Sequence, residues 1–223
     1  YQFTNNIGNI DVSKQLSDKL SFAFGSEFRM EQFTVFAGDS ASYYLSGADS
    51  FPGTQPGNAG IFSRFNFGGY MDLSYDITKD FLVNGTIRQE RYSDFGDATV
   101  YKISSRYKFN DDKITLRGSF STGFRAPLLH QIYQQQAQAS FVPGQGIQTK
   151  GIVNNVSPQA FALGVPKLTP EKSTNFTLGL GYKPNKNLSV TLDYYNIVVK
   201  DRIVLGSEIA GTASGNTALD QIL

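Results

Sequence analysis

Nine charged side chains sit at alternate positions on segments that read as β-strands: Glu27, Arg29, Glu31, Arg88, Glu90, Lys102, Arg106, Arg117 and Asp193. Mixed charges on one face can pair across strands or hold a charged ligand. Mutual pairing, or contact with whatever fills the space they face, is the simpler expectation. His130 is the only histidine. Metal binding or base catalysis would need acidic partners beside it, but its neighbour Leu129 belongs to an apolar helical face, so a structural role is expected. Asp39, Asp49, Asp94 and Asp97 offer oxygen ligands of the kind Ca²⁺ takes, without EF-hand spacing. Cysteine is absent, which excludes thiolate metal sites and disulfides. No GxSxG, phosphate-loop or HExxH pattern occurs. The expectation is no enzyme, no cofactor and no metal. Where a strand gives way to a long connection stands Gly123-Phe124-Arg125-Ala126-Pro127. Pro127 suits the first position of a short helix, on which Leu128, Leu129, Ile132 and Tyr133 would share a face. This turn is expected to anchor the connection onto the rim of the sheet rather than to touch ligand.

The charges need strands to carry them. From Leu20 to Glu31, Leu20, Phe22, Phe24, Phe28 and Met30 alternate with Ser21, Ala23, Gly25, Glu27, Arg29 and Glu31. Eight such strands are predicted, roughly 1–14, 20–36, 61–76, 81–92, 99–109, 114–123, 174–182 and 188–203. In the first, Phe3 and Ile7 and then Ile10 and Val12 change face, which predicts a bulge. Short turns lie near Asp18, Lys79, Asp111 and Asn185. The other connections are mostly long, above all 37–60 and 124–168. Long strands, an apolar outer face, a charged inner face and loops of unequal length predict an all-β, antiparallel, up-and-down transmembrane barrel wall. A short helix in one extracellular loop completes the prediction. Phe22, Phe24, Phe67, Leu73, Val83, Ile103, Leu116, Leu178 and Val190 are expected to face lipid, with an Arg at Leu116 costing about 2–4 kcal/mol. Tyr75, Phe81, Tyr107, Phe109 and Tyr182 read as one aromatic girdle, and Phe33, Phe36, Tyr92 and Phe95 as the other.

Composition agrees with this pattern. The chain has 223 residues and a net charge of +1, which gives no pull toward nucleic acid. Mean hydropathy is −0.26, because alternation hides a barrel's membrane signal from the average. A soluble all-β sandwich or repeat array is the competing fold, but strands of more than ten residues exceed the ~5–6 usual there. The chain starts Tyr1-Gln2-Phe3 without a signal segment, and 204–223 read as polar loop. A single partial barrel domain, part of a longer polypeptide, is therefore expected.

Three ordered segments then become specific. Arg117 to Pro127, continued by Leu128-Leu129-His130-Gln131-Ile132-Tyr133, resembles the "LRxSxxxGFRAP" segment of TonB-dependent outer-membrane receptors. Arg91-Tyr92-Ser93-Asp94-Phe95-Gly96 resembles their "RYSDFG" turn. Leu168-Thr169-Pro170-Glu171-Lys172-Ser173 resembles "LxPEKS", followed by strand sequence through Asp193-Tyr194-Tyr195-Asn196-Ile197 and Lys200-Asp201-Arg202-Ile203. The resemblance runs from about Phe65 to Ile203. It implies a 22-stranded barrel from a Gram-negative outer membrane, with a plug domain and final strands outside this chain. It also implies outer-membrane lipid around the wall, a TonB-like energy-coupling protein acting through the plug, and a scarce nutrient as ligand: a ferric siderophore, haem, cobalamin or a glycan. The alternatives are an eight-stranded outer-membrane enzyme, since eight strands can close a barrel, and a passive or adhesive pore.

Overall fold

The computed structural model describes residues 1–44, 52–142, 144 and 146–206. Its body is one antiparallel sheet of eight strands: β1 (Gln2–Ser17), β2 (Leu20–Val35), β3 (Gly60–Asp76), β4 (Phe81–Tyr92), β5 (Gly96–Phe109), β6 (Ile114–Arg125), β9 (Glu171–Asn185) and β10 (Leu188–Lys200). They pair in that order. β1 and β10 are the two edges, so the described strands do not close on themselves. The connection between β6 and β9 carries α2 (Leu129–Tyr133), a separate hairpin of β7 (Gln136–Val142) and β8 (Gly146–Ile152), and α3 (Pro158–Ala162). A one-turn helix, α1 (Ser40–Tyr43), follows β2.

The short turns have local causes. Between β5 and β6, Asn110, Asp111 and Asp112 all take positive φ, between 53° and 65°. Asn and Asp tolerate this left-handed region better than other side chains. Gly96, at φ +92°, opens β5 where a side chain would be strained.

Register sorts the side chains onto two faces. Glu31 lies opposite Arg64, Arg29 opposite Asn66, Asp72 opposite Thr86, and Arg117 between Arg106 and Gly179, with Asp193 beyond. These form the inner face. Phe24, Met71, Ile87 and Tyr101 form one continuous outer row, and Tyr107, Leu116, Leu180 and Leu192 form another. All eight are exposed. Phe67, Leu73, Ile103, Leu178 and Val190 are exposed on the same face, while Phe22 and Val83 are half-buried there. An outer apolar face open over its whole height is what hydrocarbon outside requires.

Four expectations need correcting. The β1–β2 ladder is unbroken from Gln2 to Gln15, and its register shift lies between Gln15 and Ser17. No bulge separates Ile7 from Ile10. Phe3 and Ile7 simply face inward, because Phe3 stacks on Phe33 with ring centroids 4.7 Å apart. Phe33 and Tyr92 are likewise no outer girdle: both are buried on the inner face, and Phe95 stacks on Tyr92 at 4.4 Å. The turn-side girdle is oriented as expected, with Tyr75, Tyr107, Phe109 and Tyr182 exposed. Pro127 precedes α2 instead of opening it, since Leu128 is the N-cap. Finally, Leu116 pairs with Leu180, two positions from the girdle residue Tyr182. It therefore lies nearer the interface than the bilayer centre. The hairpin β7–β8 and helix α3 lie within the long 124–168 connection, where one short helix is the only element expected.

The buried apolar cluster is small and sits on the inner face at the long-loop end. Phe33, Val35 and Leu129 are buried together, with Phe62 and Tyr133 packed against them. The sheet is thus capped at one end, not filled.

Candidate functional site

At that capped end, Arg64 is 3% exposed at its side chain. β3 brings it inward, opposite Glu31 on β2. Its Nε donates to Glu31 Oε2 at 2.9 Å, and its Nη2 meets the same carboxylate. Its Nη1 donates to the Pro127 carbonyl at 2.7 Å and to Asp94 Oδ2 at 3.2 Å. The guanidinium also lies over the Tyr92 ring, 5.3 Å from the centroid. One planar fork therefore ties β2, the β4–β5 turn and the start of the long connection to β3. A guanidinium presents five donors in fixed geometry, so it can serve three acceptors at once.

Around it the inner charges pair with one another. Arg29 donates to Glu27 at 2.7 Å. Arg88 Nε donates to Glu90 Oε1 at 2.6 Å, while Asn66 and the Tyr92 hydroxyl both donate to Glu90 Oε2, at 2.6 and 2.8 Å. Two polar atoms stay orphaned on directly opposite residues: Arg29 Nε, a donor, and Asn66 Oδ1, an acceptor.

The expected candidates thus divide into groups. Glu27, Arg29, Glu31, Arg88 and Glu90 belong to this network. Arg117 and Asp193 form a separate bidentate pair at 2.7 and 2.8 Å, with Arg117 lying across Gly179. Arg106 and Lys102 are exposed on the inner face and make no ion pair among the described residues. In the segment Gly123 to Pro127, Arg125 binds Glu171 twice, at 2.9 and 2.6 Å. Phe124 sets its ring edge-on to Tyr92 at 5.9 Å. Pro127 is fully buried, and a Cβ on Gly123 would stand 2.7 Å from Ser173 Oγ. Ala126 makes no polar side-chain contact of its own. Glu171 also accepts from the Ile203 backbone N–H at 2.8 Å. This strand end lies beyond the apolar outer rows, where Lys172 is exposed. The guanidinium of Arg125, and then the Ile203 N–H, hold the Glu171 carboxyl down at about 2.

His130 stands edge-on to Phe3 and Phe33, at 5.7 and 6.4 Å, in aromatic surroundings. Asp94 is taken by Arg64, Asp97 faces Arg91 at 3.9 Å, and Asp39 precedes α1. Asp49 lies outside the described residues. Among the described residues, no three His, Asp or Glu side chains gather as a metal site.

Arg64 and Asn66 are the residues that sequence reasoning passed over as site members. Their alternation with Phe65 and Phe67 put them on the inner face. Their partners, however, depend on a register set across the 36–59 connection.

A family model described as TonB dependent receptor-like, beta-barrel matches residues 1–221. A probable TonB-dependent siderophore receptor, PirA of Acinetobacter baumannii, is 24% identical over 148 residues, which cover 66% of this chain and 18% of that protein. The solved structure of PirA from Acinetobacter baumannii superposes with a TM-score of 0.63 at 17% identity, covering 93% of this chain and 28% of that one. The ferric enterobactin receptor PfeA of Pseudomonas aeruginosa gives 0.62 at 17%, covering 89% and 26%. The chain thus spans less than a third of each of these relatives.

Proposed function

The chain belongs to the TonB-dependent receptor-like β-barrel family, and from that premise we propose that it forms part of the wall and outer rim of an active transporter. The transporter sits in the outer membrane of a Gram-negative bacterium. The observation that carries this reading is the match over residues 1–221 on a sheet with an exposed apolar outer face and a self-paired polar inner face. The nutrient is a ferric siderophore, by analogy with what the similar receptors are named for. The barrel does no chemistry. Its lumen is occupied by a plug domain elsewhere in the polypeptide, and further strands pair with β1 and β10. Energy arrives from the inner membrane through a TonB-like protein.

The arrangement at the rim supports such a role. Arg64 clamps the Pro127 end of the long connection to the wall, and α2 packs on the inner face beside it. The test is uptake of labelled ferric siderophore, with growth on a panel of iron sources to identify which one. Accumulation is expected to need both the receptor and the proton gradient. Uptake at the normal rate in a strain lacking its TonB machinery would replace the transporter by a passive channel.

A further inference from the structure

We infer that Lys172 and Lys200 form a site on the outer wall for the phosphate of an anionic lipid headgroup. The inference rests on placing this sheet in a membrane, and not on transport or on any nutrient. Lys200 lies directly opposite Lys172 in the β9–β10 ladder. Both are exposed. They share the outward face, since Asp193 and Gly179 set the inward one. Directly opposed side chains have their Cβ atoms about 5 Å apart, and like charges there are destabilising. Among the described residues neither lysine makes an ion pair. The adjacent carboxylate, Glu171, is already held by Arg125 and the Ile203 N–H. Asp201 follows Lys200 only after the strand has ended. An anion between the two ammonium groups would turn the repulsion into attraction.

Height selects a lipid as its source. Ten positions separate Tyr182, in the turn-side girdle, from Lys172. At ~3.3 Å per residue and a tilt of ~40°, that is about 25 Å along the membrane normal, the height of the apolar band of such barrels. The lysines therefore stand at the opposite headgroup level. Beneath them the outer face offers an exposed apolar column: Val198, Phe176, Tyr194, Leu178 and Leu192. An acyl chain can lie along that column while its phosphate accepts hydrogen bonds from both ammonium groups. A basic side chain near a membrane surface contributes about 1 kcal/mol of attraction to anionic lipid, or about fivefold in binding.

The intact receptor, purified in mild detergent, is titrated with phosphatidylglycerol, phosphatidylcholine or inorganic phosphate, and retained lipid is counted by native mass spectrometry. Phosphatidylglycerol should bind in preference to phosphatidylcholine, and inorganic phosphate should not displace it. Lys172→Gln or Lys200→Gln should each weaken that binding about fivefold, and the double variant about thirtyfold, whereas the Lys172→Arg/Lys200→Arg pair should retain it. Without anionic lipid, Lys200→Gln should hold or raise the melting temperature, because it removes a like-charge contact, and this checks that the barrel is intact. Undiminished phosphatidylglycerol binding by the double Gln variant would overturn the site. So would equal retention of phosphatidylcholine. Displacement by inorganic phosphate would overturn the lipid as occupant.

Discussion

At the scale of single residues, Arg64 concentrates the most consequence. Removing it strands Asp94 and the Pro127 carbonyl together and leaves Glu31 only Arg29, at 3.9 Å. Breaking a fully buried pair costs about 3–5 kcal/mol. Glu31 and Asp94 keep 21% and 22% of their side chains exposed, so water softens the loss. Arg64→Ala is expected to cost about 2–3 kcal/mol in denaturant unfolding from micelles, with earlier proteolysis between α2 and β9. Arg64→Lys should restore charge but not the three-way fork, and should recover only part of that loss. On the outer face, depth decides the cost. Leu178 lies midway along β9 between Tyr182 and Lys172, so Leu178→Arg should cost about 2–4 kcal/mol in refolding into lipid. Leu116→Arg, nearer the girdle, should cost about 1 kcal/mol or less. Equal penalties at the two sites would contradict the placement of the band.

At the scale of elements, two inward glycines let a side chain cross a whole strand. Tyr70 on β3 reaches over Gly25 on β2 to donate to Asp11 on β1 at 2.8 Å. Arg117 on β6 reaches over Gly179 on β9 to Asp193 on β10 in the same way. A Cβ at Gly179 would come within 2.5 Å of Arg117 Nε and 2.8 Å of its Cγ. Gly179→Ala should therefore break the ion pair and leave the strand in place. Because that pair is exposed, its loss should lower stability by no more than about 1 kcal/mol. A double-mutant cycle between Arg117 and Asp193 should show coupling in the parent and none in the Gly179→Ala background. At the other strand end, the hydrogen bonds of Glu171 predict a pH response of the β6–β9 junction. The Glu171 carboxyl is lower in the folded protein than in the unfolded chain, whose value is near 4.3. Its contribution is thus present in full above about pH 4.5 and is lost as pH falls toward about 2. The protection of the Ile203 amide, measured relative to its intrinsic exchange rate at each pH, should fall over that interval, and Glu171→Gln should abolish that change.

At the scale of the whole molecule, the eight described strands leave two open edges. A row of unpaired backbone groups in hydrocarbon costs several kcal/mol for each group, so β1 and β10 need partner strands. These 223 residues expressed alone should fail to refold in vesicles as a compact, heat-modifiable monomer, and should do so only when further strands pair with β1 and β10. A stable eight-stranded monomer on a gel would mean that β1 can meet β10 after all.

Alternation of period two is a local property, so residues such as Phe24, Leu73, Arg88 and Asp193 declared their faces from sequence alone. The four tight turns were legible for the same reason: Asn110-Asp111-Asp112 carries its own backbone preference. The long loops and charged interior followed by counting, and with them the barrel wall. What sequence could not supply was anything depending on register across a long connection or on what covers a face. Phe33 and Tyr92 looked like membrane-interface aromatics because they end strands, yet α2 and the β4–β5 turn bury them inward. Arg64 was passed over among the inward charges, yet folding sets it opposite Glu31 and under the carbonyl of Pro127, 63 positions away. Lys172 and Lys200 became neighbours only through the β9–β10 ladder. Facing is set by covalent geometry within one strand, whereas partners are set by the free energy of pairing strands and packing loops far apart in the chain, which only the tertiary structure decides.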